Sequence, residues 1–86
     1  MQVLKVTATG LAYTGHASVS SVSLVPGSDA ASVRLTDGLT DTGVDKGGAK
    51  TGAAASTESM LGSAMFVTGI FVTLSGTNAV AYIYVD

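Results

Sequence analysis

The sequence predicts a small all-β protein, an antiparallel β-sandwich of jelly-roll-like or Greek-key type with no substantial helix. Three observations carry that expectation. Turn signals built on Gly and Asp-Gly recur roughly every eight to twelve residues, the spacing of a sandwich or barrel rather than of helices. Apolar and polar side chains alternate with period two, most clearly where Ala31, Val33 and Leu35 oppose Ser32, Arg34 and Thr36. The C-terminal third is rich in Val, Ile, Thr, Tyr and Phe, side chains that suit a pleated surface.

Taken in order, Met1 to Thr9 reads as a first strand and Gly10 to Gly15 as a connection containing Tyr13. Ala17, Val19 and Ser21 then alternate with Ser18, Ser20 and Val22, and the alternation slips before Leu24, which predicts a bulge. Pro26-Gly27-Ser28-Asp29 is a turn: Pro presets φ, and Gly, Ser and Asp tolerate the turn conformations of the next positions. The strand from Ala31 ends at Asp37-Gly38. A Gly/Ala/Thr-rich loop is expected at about 37–59, because Val44 is the only large apolar side chain between Leu39 and Thr57. Within it we expect loop through Gly48, a short strand or one helical turn across Lys50 to Ala55, and a turn near Ser56 to Ser59. Met60 to Val67 forms a further strand broken by Gly69, after which Ile70, Val72 and Leu74 alternate with Phe71, Thr73 and Ser75. Ser75 to Asn78 is expected to close a hairpin. In the last strand Ala79, Ala81, Ile83 and Val85 oppose Val80, Tyr82 and Tyr84, so both faces are apolar and both need cover, from core or from another subunit. Residues 1–86 are read as one domain.

Composition bounds the function. A chain of 8.5 kDa exposes about 4,700 Å² when folded and can bury only about 62% of its unfolded surface. There is no Cys, and His16 is the sole imidazole, so neither a disulfide nor a structural zinc site can staple the fold. Oligomerisation is the usual remedy. Charged residues make up 12% of the chain, against about 25% in ordinary domains, which suits a surface that lies against protein. Four cations, Lys5, Arg34, Lys46 and Lys50, are scattered and leave a net charge of −2. Nucleic acid is therefore not an expected partner, since phosphate recognition needs clustered cations. Ser59 to Val85 carries no charge and has the length of a membrane span, but Gly69 and Ser75-Gly76-Thr77-Asn78 interrupt it, favouring strands and a turn. No membrane partner is expected. Met1 to Thr9 has one Lys and no sustained apolar core, so no secretory signal is expected either.

No motif points to catalysis, and no cofactor, metal or catalytic residue is expected. Gly43 to Thr51, GVDKGGAKT, misses the phosphate-binding loop because Ala49 separates Gly48 from Lys50 and no buried strand precedes it. Asp37, Asp41 and Asp45 recur every four residues but lack the alternate ligand positions and closing Glu of a calcium loop, so solvated turn residues are expected. His16 has no thiol, second His or carboxylate nearby in sequence. Glu58 and Asp86 would act as an acid–base pair only if folding brought them together. Tyr13, Phe66, Phe71, Tyr82 and Tyr84 can stack on a sugar or pack a core, and the strand patterns favour core for Phe66 and Phe71.

The run Val19 to Asp37, containing SVSLVPGSDAASVRLTD, and the run Gly69 to Tyr84, GIFVTLSGTNAVAYIY, resemble small β-sandwich structural proteins, of decoration or cement type, in tailed-bacteriophage virions. Shared features are the Gly-Ser-Asp-Ala-Ala turn at Gly27 to Ala31, the strand ending in Asp37, the variable loop from Leu39 to Thr57, and the Ser-Gly-Thr-Asn turn at Ser75 to Asn78. The resemblance covers most of the chain after Gly15. It implies a non-enzymatic virion protein, assembled in the host cytoplasm, whose partners are the major capsid protein or other virion proteins and copies of itself, with a trimer favoured. Neck, tail or fibre placement and a carbohydrate- or host-receptor-binding module are the alternatives. Expected subunit contacts are the first strand from Gln2 to Thr7, with Gln2, Val3 and Leu4 foremost, the loop from Leu39 to Lys50, with Leu39, Val44 and Lys46 foremost, and Tyr82 and Tyr84.

Overall fold

The computed structural model describes residues 2–52 and 57–85. Eight strands follow one another: β1 (Gln2–Val6), β2 (Gly10–Thr14), β3 (Ala17–Val25), β4 (Ala31–Asp37), β5 (Val44–Thr51), β6 (Thr57–Phe66), β7 (Gly69–Ser75) and β8 (Val80–Val85). They build two four-stranded antiparallel sheets, sheet one in the order β1-β8-β3-β6 and sheet two in the order β2-β7-β4-β5. The fold is the expected all-β sandwich, without helix among the described residues. Strand pairs β1·β8, β2·β7, β3·β6 and β4·β5 are those of one long hairpin, and rolling it up adds β3·β8 and β4·β7. That connectivity is a jelly roll.

Each sheet turns one face inward. Val19, Val22 and Leu24 of β3 and Ala81, Ile83 and Val85 of β8 meet Val33 and Leu35 of β4 and Ile70 and Val72 of β7, with Phe66 completing the core. All of these are buried. The four central strands thus supply most of the core, and the edge strands β1, β2 and β5 contribute little besides Val6 and half-buried Leu4, Ala12, Tyr13 and Ala49. The accessible surface of 4346 Å² lies slightly below the roughly 4,700 Å² expected for this mass.

The period slip in β3 is a register shift between Val19 and Ser21, felt by both neighbours. Ser20 stands at the shift and its hydroxyl donates to the Tyr84 carbonyl (3.2 Å). Beyond it Val22 faces the core opposite Ile83, and Ser21 lies on the outer face between Tyr84 and Met60.

Several expectations need correction. The first strand is shorter, and Gly10 to Gly15 is not a connection, because Gly10–Thr14 pairs with β7 as an edge strand. A shift between Leu11 and Tyr13 breaks its alternation. The loop at about 37–59 contains β5 and the start of β6. Strand β5 starts at Val44, not near Lys50, because backbone pairing with β4 holds a segment whose side chains could not announce it. Gly48 permits that close pairing, since a Cβ there would run into the Val33 carbonyl oxygen. No turn occupies Ser56 to Ser59 as a whole, because Thr57 onward is strand. The reading of 53–56 as strand end or helical turn lies outside the described residues. The Ser75 to Asn78 turn exists but closes no hairpin: it carries the chain from sheet two to sheet one. Gly76 (φ 116°) and Asn78 (φ 58°) make that crossing with left-handed backbone, the conformation Gly and Asn adopt with least strain.

Candidate interaction surfaces

The residues expected to touch other subunits fall in two places. Val3, Tyr82 and Tyr84 share the outer face of sheet one, whereas Leu4 lies on the opposite side of β1 and packs against the core. Gln2 is exposed at the same edge. Leu39, Val44 and Lys46 are exposed where β4 leads into β5.

Register aligns the outer face of sheet one into rows. Lys5, Tyr82, Ser23 and Glu58 form one row across β1, β8, β3 and β6. Val3, Tyr84, Ser21 and Met60 form the next. Val80 and Val25 begin a third. Side chains two apart on a strand share a face, so these rows make one surface. Its relief is a tyrosine ridge on β8, a serine trough on β3 and a ridge of Glu58 and Met60 on β6. The trough opens into a groove of about 450 Å³ lined by Ser23, Val25, Glu58, Tyr82 and Tyr84. Ser21 and Ser23 donate long hydrogen bonds to Glu58 Oε2 (3.4 and 3.5 Å). Met60 is 74% and Val3 50% exposed on this face.

The outer face of sheet two differs. Arg34 and Asp45 approach to 3.4 Å, and the buried Thr36 hydroxyl donates to the same Asp45 oxygen (3.3 Å). Beside them a hollow of about 580 Å³ lies over Gly47 and Gly48, rimmed by Ser32, Lys50 and Thr73. The Thr73 hydroxyl is buried there with no hydrogen-bond partner among the described residues.

No family model, curated protein or solved structure matches this chain. Its function must therefore be argued from these surfaces.

Chemistry-bearing residues are kept apart. Asp37 accepts the backbone N–H groups of Val67 (3.1 Å), Thr68 (2.9 Å) and Gly69 (3.5 Å) at Oδ1, with Oδ2 also 3.2 Å from the Val67 nitrogen. The Thr68 and Val67 N–H groups hold its carboxyl below the usual carboxylate range. Asp41 is exposed and Asp45 belongs to Arg34, so the three aspartates serve different partners. Among the described residues no cluster of three His, Cys, Asp or Glu forms. His16 is exposed between β2 and β3. GVDKGGAKT is β5, a bulged edge strand instead of a phosphate loop. Asp86 lies outside the described residues, so its relation to Glu58 does too. The aromatics form no single platform. Tyr13 and Phe66 join the core, and only Tyr82 and Tyr84 share an outer face. Phe71, expected in the core, instead pairs with Thr36 and Leu11 on the outer face of sheet two. Sequence reasoning placed Lys5 within the expected contact strand but did not single out Glu58 or Met60 as contacts, and the alignment of all three with the tyrosines depends on register alone.

Proposed function

We propose that this chain is a non-enzymatic structural protein of a virus particle, a decoration or cement protein that binds the major capsid protein and copies of itself. The observation that carries the reading is the outer face of sheet one, a charge-poor surface with exposed Val3 and Met60 beside two tyrosines. Interfaces enrich aromatic residues and Met and deplete charge in the same way. Jelly rolls recur in viral capsids; that link is an analogy of fold, and fold alone assigns no function. Weak contacts of this size become strong when many copies engage a repeating shell at once. Quantitative mass spectrometry of purified virus particles from the source, against the major shell protein, tests the proposal. Hundreds of copies support a capsid decoration role, and a few to some tens move the protein to the neck, tail or fibre. Absence from the particle overturns the reading.

One observation favours a second reading. The groove beside Tyr82, Tyr84, Ser23 and Glu58 offers two rings for stacking and a carboxylate for sugar hydroxyls, which is the chemistry of a carbohydrate- or receptor-binding module. Glycan binding lost in Tyr82→Ala and Tyr84→Ala variants would support it over the structural role.

A further inference from the structure

The outer face of sheet one carries both halves of its own complement. Lys5 sits on the edge strand β1 and Glu58 on the opposite edge strand β6, in the same row. Three strand spacings separate them, about 14 Å, so they cannot pair within one copy, and among the described residues no ion pair includes Lys5. Among the described residues, Glu58 reaches only the two serine hydroxyls in the trough.

From this arrangement we propose that two copies of the chain pair face to face through sheet one, about a two-fold axis that runs parallel to the strands between β8 and β3. Such an axis exchanges β1 with the partner's β6 and β8 with the partner's β3, while leaving each row at its own level. Lys5 then meets Glu58 of the partner copy, and Val3 meets the partner's Met60. Tyr82 and Tyr84 descend onto the partner's Ser23 and Ser21, so that each tyrosine ridge fills the facing serine trough. Val80 meets the partner's Val25. Every row matches plus with minus, apolar with apolar, or large with small. Few other placements do this: sliding by one row sets Lys5 on Met60 and leaves both charges buried without a partner, which is strongly unfavourable. Sheets packed in this way keep strand directions within about 30° and lie about 10 Å apart, a gap that Lys and Tyr side chains bridge.

The surface is four strands wide and about six residues long, roughly 19 by 20 Å or about 400 Å² per copy as a flat projection. That is at the low end for a complex standing alone, so the dimer is concentration-dependent. The proposed two-fold pair is an alternative to the trimer that the resemblance favours. The pairing does not rest on the virion reading and can fail or hold independently of it.

The test uses the absence of native cysteine. A Val3→Cys, Met60→Cys double variant is treated at high protein concentration with a short bifunctional thiol cross-linker and run on a denaturing gel. Both positions are exposed, so the core is untouched. Across sheets about 10 Å apart the two thiols are too far for a direct disulfide but within reach of the cross-linker, whereas the roughly 14 Å between the two positions of one copy exceeds it. The expected result is a cross-linked dimer that does not extend further, with each single variant remaining monomeric. A Leu11→Cys, Lys50→Cys variant, on the two edge strands of sheet two, should give no dimer. Failure of the Val3/Met60 variant to cross-link, a ladder of higher oligomers, or equal cross-linking through sheet two would overturn the proposal. Circular dichroism of each reduced variant against the parent chain shows that the fold is retained.

Discussion

The two sheets share one core and one connectivity, yet their outer faces are finished differently. On the outer face of sheet two Arg34 is paired with Asp45, which also takes the Thr36 hydroxyl, and Lys50 stands exposed on the edge strand β5. On sheet one the two charges stand at opposite edges, with exposed Val3 and Met60 and half-buried Tyr82 and Tyr84 between and beside them. Charge that is paired locally suits a face turned to water. Charge and apolar surface left open at matching heights suit a face that meets a second body.

The deepest break in this comparison is to remove the core on which both faces stand. Phe66→Ala opens a cavity there and is expected to cost about 3–5 kcal/mol, a large part of the roughly 4–13 kcal/mol available to a chain of this length. Chemical denaturation should show a single transition at a lower midpoint, with both faces lost together.

Asp37 separates the ends of the sandwich from its faces. In the folded chain its pKa is depressed below 3.8 by the turn N–H groups. Its contribution to stability is therefore complete above the unfolded value and is lost as the pH falls through the folded one. Asp37→Asn turns an amide NH₂ toward the Val67 N–H and should lower Tm at pH 7. The parent and variant curves should converge as the pH falls below about 3.8, measured by thermal melts across pH 2 to 7. Association through sheet one should be unchanged.

A smaller effect on stability, and a larger one on assembly, is expected from Lys5→Glu. It puts like charges face to face in the proposed pair and should weaken association about tenfold or more, or about 1.4 kcal/mol. Smallest of all is Arg34→Ala. Arg34 and Asp45 side chains are 48% and 61% exposed, so their pairing contributes less than about 0.5 kcal/mol, and its loss should leave association unaltered.

Legibility in the sequence depends on how each element is built. Strand β4 was legible at its true bounds because Ala31, Val33 and Leu35 alternate cleanly between two turns. The two faces of β8 were legible for the same reason: Ala81 and Ile83 go to the core, Tyr82 and Tyr84 outward. Strand β2 escaped because its bulge puts Leu11 and Tyr13 out of period, and flanking Gly residues imitate a loop. Strand β5 escaped because an edge strand of Gly, Lys and Asp has little core to face, and its pairing with β4 is a backbone property. The Ser75 to Asn78 turn was found but misassigned, since periodicity locates strands and says nothing about which strand pairs with which. The Asp37 clasp joins residues about thirty positions apart through backbone N–H groups, leaving no side-chain pattern to find. The rows on sheet one have the same character: Lys5 and Glu58 become a candidate pair only after register places them at one height.

The most direct test of that placement is sedimentation equilibrium of the parent chain, Lys5→Glu, Glu58→Lys and the combined Lys5→Glu, Glu58→Lys variant over a range of concentrations. The account predicts a reversible dimer for the parent, weakened in each single variant and restored in the combined one, because reversing both charges recreates the same contacts. A parent chain that stays monomeric throughout, or a combined variant that associates no better than the single ones, would contradict it.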